Sequence, residues 1–344
     1  MLPDDMTITP ASPGDLAAAL ALLGEAALPT AGVADHFAHF LVARRGDSLV
    51  GTAGLEVYRD AALLRSVAVA ADWRNRGLGQ ALTQAALDRA RSRGGHMAYL
   101  LTTDAADFFG RKFGFVPLPR DAVDPRLGAS AELQGACPDT AMAMVRPLAE
   151  PHVLSLKERV RWALAGRTRQ ADAQPQLTPS AVLLLLYEKG GAPYVLFTRR
   201  TSLVEDHKGE VSFPGGAWHP GEDPSLLATA LRESHEEVGV APDNVEVLGE
   251  LDDTVPLSKY VITPYVGTLR SPQDFRPAAI EVAEVLEVPL AYLKDPAHRR
   301  DAAREPRRYA GKQISGEYVV YGESVIWGAT YRILRQFLDL LARD

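Results

Sequence analysis

Cysteine is almost missing: Cys137 is the only one in 344 residues, which rules out an intrachain disulfide and makes the cytoplasm the expected compartment. Long apolar runs are missing too. Strongly apolar stretches such as Ala181 to Tyr187 fall far short of the ~20 residues that span a bilayer, and no signal-peptide pattern opens the chain. Positive charge is not in excess, since 37 Lys and Arg face 44 Asp and Glu for a net charge of −7. That balance excludes nucleic-acid or membrane binding driven by charge, so a phosphate ligand has to be met by a local patch or a metal. No internal repeat is present. What remains is an ordinary soluble composition, 47% hydrophobic and 24% charged. The length exceeds the roughly 250–300 residues at which single cores stop growing, which implies two domains.

The most informative stretch runs from Gly209 to Val240, GEVSFPGGAWHPGEDPSLLATALRESHEEVGV. It reads as a strand, a glycine elbow, a loop and a helix over about 224–238, with Asp223 as N-cap, Pro224 in the first helical position and Gly239 as left-handed C-cap. At 100° per residue, Leu227, Leu231, Ser234 and Val238 share one arc for burial, and Glu233, Glu236 and Glu237 share the other. Like charges at this spacing repel unless a cation lies between them. Mg²⁺ or Mn²⁺ suits, because hard divalent ions take carboxylate oxygens and share their other positions with water and phosphate. Arg232 stands ready to orient Glu233, and the elbow Phe213-Pro214-Gly215-Gly216 lets backbone approach a ligand. A solvated helix face is the competing reading of the acidic trio alone.

Arg232-Glu233-Ser234-His235-Glu236-Glu237-Val238-Gly239-Val240 resembles the core of the Nudix box. LFTRRTSLVEDHKGEVSFPGG, with ITPYVG, VAEVLEVPL and VIWGATYRIL further on, resembles the coenzyme A diphosphatase branch of the Nudix hydrolases over about residues 152–344. The resemblance implies an α/β/α sandwich in which Arg232, Glu233, Glu236 and Glu237 serve catalysis and the three glutamates hold Mg²⁺ or Mn²⁺. Glu281, ahead of a late strand, is a further candidate base, and His207 and Lys208 are candidate phosphate contacts. Two departures stand out. The segment before Arg232 is one residue longer than usual, leaving Glu222 and Asp223 as alternatives for the box's first acid. Glu205 replaces an arginine common in the branch.

In the first half, a short strand and helix over 7–24 lead to strands at 38–44, 48–57 and 62–70. The loop Arg74-Asn75-Arg76-Gly77-Leu78-Gly79 then opens a helix over about 77–93. Backbone N–H groups at a helix N-terminus, unobstructed at glycine and flanked by Arg74 and Arg76, suit an anion, although a tight turn with two surface arginines fits equally well. With the strand at 98–102 and FFGRKFGF at 108–115, the pattern resembles the GNAT acetyltransferases over about residues 5–147. LPTAGVADH, LLRSVAVAADWRNRGLG, LLTTDAADFF and ACPDTAMAM resemble their arsenic-resistance-associated N-acetyltransferases. The resemblance implies that Val67 and Val69 meet the pantetheine arm of acetyl-CoA with main-chain groups and that Arg74, Asn75, Arg76, Gly77, Leu78 and Gly79 cradle its phosphates. Glu56 is the candidate base for the amine. Phe109 stands where many GNAT enzymes carry a tyrosine acid, leaving water, Tyr58 or Tyr99 to protonate the thiolate. His36 and His39 share a face only if their segment is helical and are read as structural or substrate-contacting, not as a metal pair.

The expected architecture is therefore α/β (α+β): a GNAT-like mixed sheet with flanking helices over 1–150, followed by a Nudix α/β/α sandwich over 151–344. The expected function is bifunctional, a metal-dependent hydrolase of the CoA or acyl-CoA diphosphate joined to an N-acetyltransferase using acetyl-CoA. Its partners are small molecules, CoA or acyl-CoA and an amine, without nucleic acid or membrane, and a homodimer is allowed. Two readings compete: a hydrolase of another nucleoside diphosphate derivative with the first half a non-catalytic acyl-CoA sensor, and a non-enzymatic binding protein.

Overall fold

The computed structural model describes residues 5–172, 174, 176–203, 207–256 and 259–342, and these form two compact units, Met1–Gly166 and Arg167–Asp344. The division falls after the boundary expected near residue 150, and the reason is local. Ser155 caps the helix that follows by accepting from Glu158 N, while Glu158 Oε2 accepts from Ser155 N at 2.7 Å. The helix then docks on the first unit through Arg161 Nε to Ala122 O at 2.9 Å and Gly166 N to Pro117 O at 2.7 Å. Glu205 lies outside the described residues. Among the described residues, no helix is long and apolar enough to cross a membrane.

The first unit is ordered β1 (Met6–Pro10), α1 (Leu16–Glu25), α2 (Val33–His36), β2 (Leu41–Arg45), β3 (Ser48–Tyr58), β4 (Ala61–Val69), α3 (Leu78–Ser92), β5 (Met97–Thr102), α4 (Ala106–Phe113), β6 (Val116–Leu118), β7 (Met142–Pro147) and α5 (Leu156–Leu164). Its sheet runs β1-β2-β3-β4-β5-β7-β6, with only the β4–β5 pair parallel. Helix α3 buries Leu78, Leu82, Ala86, Leu87 and Ala90 against this sheet, the i, i+4, i+8 stripe of an amphipathic helix. Phe108, Phe109, Phe113 and Phe115 pack as one aromatic group at centroid distances of 5.1–6.4 Å.

The second unit holds β8 (Thr178–Lys189), β9 (Ala192–Arg200), β10 (Val211–Ser212), β11 (Gly215–Ala217), α6 (Leu226–Val238), β12 (Val245–Glu250), β13 (Tyr260–Leu269), β14 (Val282–Pro289), α7 (Leu290–Lys294) and α8 (Gly328–Leu341). The sheet order is β10-β9-β8-β13-β12, with β11 pairing β8 and β14 pairing β9. The β13–β8 pair is parallel and the others antiparallel. Apolar runs such as LLLL at 183–186 suit strands buried on both faces.

Helix α6 departs from its expected details. It starts at Leu226 with Ser225 as N-cap, whose Oγ accepts from Ala228 N at 3.1 Å. Asp223 is drawn away to Arg232, Thr229 and His219 instead. The buried face is Ala230, Ser234, Glu237 and Val238, at i, i+4, i+7 and i+8, with Thr229 buried beside it, while Leu227 and Leu231 are half-buried. Small side chains there let the helix lie close to β8, and Glu237 goes under with them. Gly239 takes the left-handed C-cap as expected, at φ 73°.

Candidate active sites

In the second unit the elbow and α6 are built as one piece. Phe213 is buried and stacks on Phe197 at 4.7 Å, and Leu183 N donates to Pro214 O, which anchors the loop to β8. Gly216 then passes so near α6 that a Cβ added there would lie 2.5 Å from the Glu233 carboxyl carbon. Only glycine leaves room for that carboxylate.

One guanidinium orders the acids around it. Arg232 contacts Asp223 through Nε and Nη2 at 2.9 and 3.0 Å, and its Nη1 lies 2.9 Å from both Glu233 and Glu236. The hydrogen bonds from Arg232 outweigh desolvation and hold the Asp223 carboxyl well below the usual range. Between the two acids left open by the sequence, Asp223 is the buried one that Arg232 holds, whereas Glu222 is exposed and lies 3.4 Å from His219.

The three glutamates are not equally presented. Glu236 has a side chain 57% exposed, Glu233 14%, and Glu237 only 3%. Burial pushes Glu233 upward, Arg232 pulls it back, and the Glu236 and Glu281 charges push it up again. Burial raises Glu237 to about 8, opposed by Arg200 and reinforced by Glu233 and Glu281. Glu281 is thus a fourth carboxylate facing the group. Arg200 Nη1 lies 3.8 Å from Glu237 Oε1, and the Gly215 N–H also donates to Glu237. Glu237 Oε2 is buried with no hydrogen-bond partner. A buried orphan carboxylate oxygen, beside more acids than cations, is what a hard divalent ion would satisfy, so the residues present fit Mg²⁺ or Mn²⁺. His207 is tied to Glu210 through Nδ1 at 3.1 Å. His235 is exposed and lines a cavity of about 420 Å³ with Gly239, Gln273, Asp274 and Arg276.

In the first unit, β4 and β5 are paired only from Ala61–Met97 to Leu63–Tyr99 and are unpaired beyond. The β3–β4 register shifts where Ser66 adopts φ 55°, so β4 bends there. Val67 and Val69 lie on the unpaired stretch, where free main-chain groups need another partner. The Val69 carbonyl accepts from Arg74 Nε at 3.1 Å. Asn75 at φ 60° and Gly77 at φ 84° turn the chain into α3, leaving Leu78 and Gly79 in its first turn. Arg74, Asn75, Arg76 and Gly77 are exposed, and Arg76 and Arg45 stack on Trp73 at 5.1 and 4.9 Å.

Glu56 does not present an open carboxylate. It is fully buried against the equally buried Arg65, accepts from Tyr58 Oη at 2.6 Å, and lies 3.8 Å from His36 Nε2. Burial pushes its pKa up, but hydrogen bonds from Tyr58, Ser130 and Arg65 outweigh this and leave it lowered. The expected role as base fits poorly with so closed a pair. Arg65 also lies 3.2 Å from Glu132, which burial raises to about 7, and donates to Ala31 O at 2.7 Å. The sequence reading passed over Arg65 and Glu132. Polar residues inside apolar strand text, RSVAV for Arg65, were the available signal. Tyr99 is buried and burial raises its pKa, and Phe109 sits in the aromatic group, so neither is set up to protonate a thiolate. His39 Nδ1 contacts Arg93 at 2.8 Å.

Comparison with known proteins finds a family model in each half. The model described as Acetyltransferase (GNAT) family matches residues 16–115, and that described as NUDIX domain matches residues 177–307. An uncharacterized Nudix hydrolase NudL of Photorhabdus laumondii is 38% identical over 159 residues, covering 46% of this chain and 81% of that protein. The human mitochondrial coenzyme A diphosphatase NUDT8 is 37% identical over 188 residues, covering 54% of this chain and 77% of that protein. A solved N-acetylglutamate synthase from Neisseria gonorrhoeae, complexed with coenzyme A and N-acetyl-glutamate, aligns at TM-score 0.38 and 22% identity, over 42% of this chain and 35% of that one.

Proposed function

This chain belongs to the Nudix hydrolase family, and on that premise we propose that its second unit cleaves the diphosphate of CoA or an acyl-CoA. The products are 3′,5′-ADP and a 4′-phosphopantetheine. The observation that carries this reading is the unsatisfied, buried Glu237 Oε2 beside Glu233, Glu236 and a glycine elbow. A bound Mg²⁺ or Mn²⁺ would supply charge for the diphosphate and acidify water. The chain's own groups do the rest. Arg232 fixes Glu233 and Glu236, Arg200 puts a guanidinium beside Glu237 where phosphate oxygens need one, and Glu281 accepts the proton of the attacking water. Water adds to phosphorus as the bridging P–O bond breaks. The name of the human relative supports CoA as substrate. The test is a panel of CoA, acetyl-CoA, NADH, ADP-ribose and oxidised dGTP, each with Mg²⁺ or Mn²⁺, read by product mass; release of 3′,5′-ADP from CoA is expected. Hydrolysis of ADP-ribose or NADH with CoA untouched would move the reading to another nucleoside diphosphate derivative.

The first unit binds acetyl-CoA in this reading, with the splayed β4–β5 edge for the pantetheine and the Arg74–Gly79 loop for the phosphates. The closed Glu56–Arg65 pair favours a unit that senses acyl-CoA over one that turns it over rapidly. Equilibrium dialysis of the full chain carrying Glu236→Gln and Glu237→Gln tests this, with saturable acetyl-CoA binding lost on Arg74→Ala, Arg76→Ala as the supporting result. No saturable binding would end the proposal for this unit.

A further inference from the structure

A second group of metal-ligating side chains lies in the first unit, on elements that the acyl-CoA reading does not use. Asp60 sits in the β3–β4 turn, His96 stands just before β5, and Glu158 is in the first turn of α5. One donor atom of each lies within 4.8 Å of the others. The contact between His96 Nδ1 and Glu158 Oε1 is 3.4 Å, yet neither atom has a hydrogen-bond partner. Glu158 is only 3% exposed. An unshared carboxylate oxygen that deep is costly unless something positive meets it.

The surroundings hold each ligand in place and leave one atom of it over. Glu158 Oε2 is used by Ser155 N at 2.7 Å, which fixes the carboxylate and turns Oε1 toward His96. Asp60 Oδ1 is used by Arg126, whose guanidinium is also spent on Asp124 through Nε and Nη2 at 3.0 and 2.6 Å. The Asp60 carbonyl accepts from the N–H groups of His96 and Met97, and the His96 carbonyl accepts from Leu148 N, so the backbone under both ligands is fixed. Outer partners that orient a donor are the usual support of a metal ligand. The spacing also fits. Two ligands about 2.05 Å from a tetrahedral ion are separated by roughly 3.3 Å, and a plain hydrogen bond at the observed 3.4 Å is not made.

We infer that Asp60, His96 and Glu158 form a site for a divalent transition ion, with one nitrogen and two oxygen donors and water completing the shell. That donor set suits Zn²⁺, with Mn²⁺ next. The ion would tie α5 to the β3–β4 turn and the start of β5, so metal affinity would be expressed as stability of the α5 contact. This inference does not depend on what either unit hydrolyses or binds.

The experiment uses the full chain with Glu236→Gln and Glu237→Gln, which removes two of the three α6 carboxylates of the second unit and leaves Glu233 held by Arg232. Protein stripped with chelator, loaded with Zn²⁺ and gel-filtered is assayed for bound metal, and hydrogen exchange of α5 peptides is followed with and without Zn²⁺. One retained equivalent and slowed α5 exchange are expected. Both should vanish on His96→Ala and on Glu158→Gln; the latter keeps an oxygen for Ser155 N, so α5 still caps. Retention of no metal by the parent, or of equal metal by both variants, overturns the site. So does α5 exchange that is equally slow in the parent with and without Zn²⁺, which would make the contact an ion pair alone.

Discussion

Glu237 is where ligand binding and folding pull against each other, and Glu237→Gln should separate them. Burial lifts this carboxyl from its ordinary 4.5 to about 8. Between those values the folded chain keeps the proton and the unfolded chain releases it, so the folded state loses ground as pH rises, and the loss is complete above the folded value. Each unit is worth about 1.4 kcal/mol, so at pH 7 the metal-free wild type carries a penalty of about 3 kcal/mol that glutamine, neutral and nearly the same shape, does not carry. Without metal the variant should therefore be the more stable protein, by a margin growing about 1.4 kcal/mol per pH unit from near 5 to near 8 and level beyond. Hydrolysis should meanwhile fall by about 10²–10³-fold. The assay is hydrogen exchange of α6 peptides under denaturant in chelator across that pH range, repeated with Mn²⁺, which should stabilise wild type and leave the variant unmoved. A stability difference that ignores pH, or a metal-free wild type more stable than the variant at pH 8, would refute the reasoning.

Neighbouring glycines should fail differently. A Cβ at Gly216 meets the Glu233 carboxylate 2.5 Å away, the movable end of a side chain, so Gly216→Ala should fold with a cost below about 1 kcal/mol and lose roughly 10²-fold in kcat. A Cβ at Gly215 meets the Ala181 carbonyl oxygen, so Gly215→Ala should unfold the second unit more easily by several kcal/mol, as read by thermal denaturation. Arg232→Ala leaves Asp223 buried with only His219 N and Thr229 Oγ1. It should cost about 2–3 kcal/mol, and the Asp223 contribution, present above the ordinary aspartate range, should be lost in wild type as pH falls below it. Arg65→Met leaves Glu56 and Glu132 buried without their shared cation. It should destabilise the first unit by about 3–5 kcal/mol with hydrolysis by the second unchanged, measured as split transitions in calorimetry.

Local features were legible because their chemistry is local. Gly239 adopts the left-handed conformation its position announced, at φ 73°, and the acidic spacing at 233, 236 and 237 was visible because a helix repeats every 3.6 residues. The cap of α6 was misread because two candidates stood together. Choosing Ser225 over Asp223 required knowing that Arg232, nine residues on, would claim the aspartate. The extent of the first unit was misjudged for a related reason. The run after residue 150 reads as an ordinary amphipathic helix, and only its contacts with Ala122, Pro117 and His96 say which core it belongs to.

The buried charges were the least legible part, and the cause is common to both units. A glutamate in sequence is by default a solvated surface residue, and its text carries no sign of what covers it. Glu237 follows Ala230 and Ser234 under α6 because those residues are small enough to bring the helix down on β8. Glu56 is closed because Arg65 faces it from the next strand of a hairpin. Glu158 loses its solvent because a capping box turns it inward, toward a histidine that the sheet brings from far along the chain. In each case the fold takes a carboxylate out of water, and a partner of opposite charge has to come from elsewhere. Where the fold supplies an arginine, as at Glu56, the result is a clasp. Where it leaves an oxygen bare, as at Glu237 Oε2 and Glu158 Oε1, electroneutrality has to be completed from outside the chain, which is why metal uptake at those two oxygens is the measurement that tests the reasoning in both units.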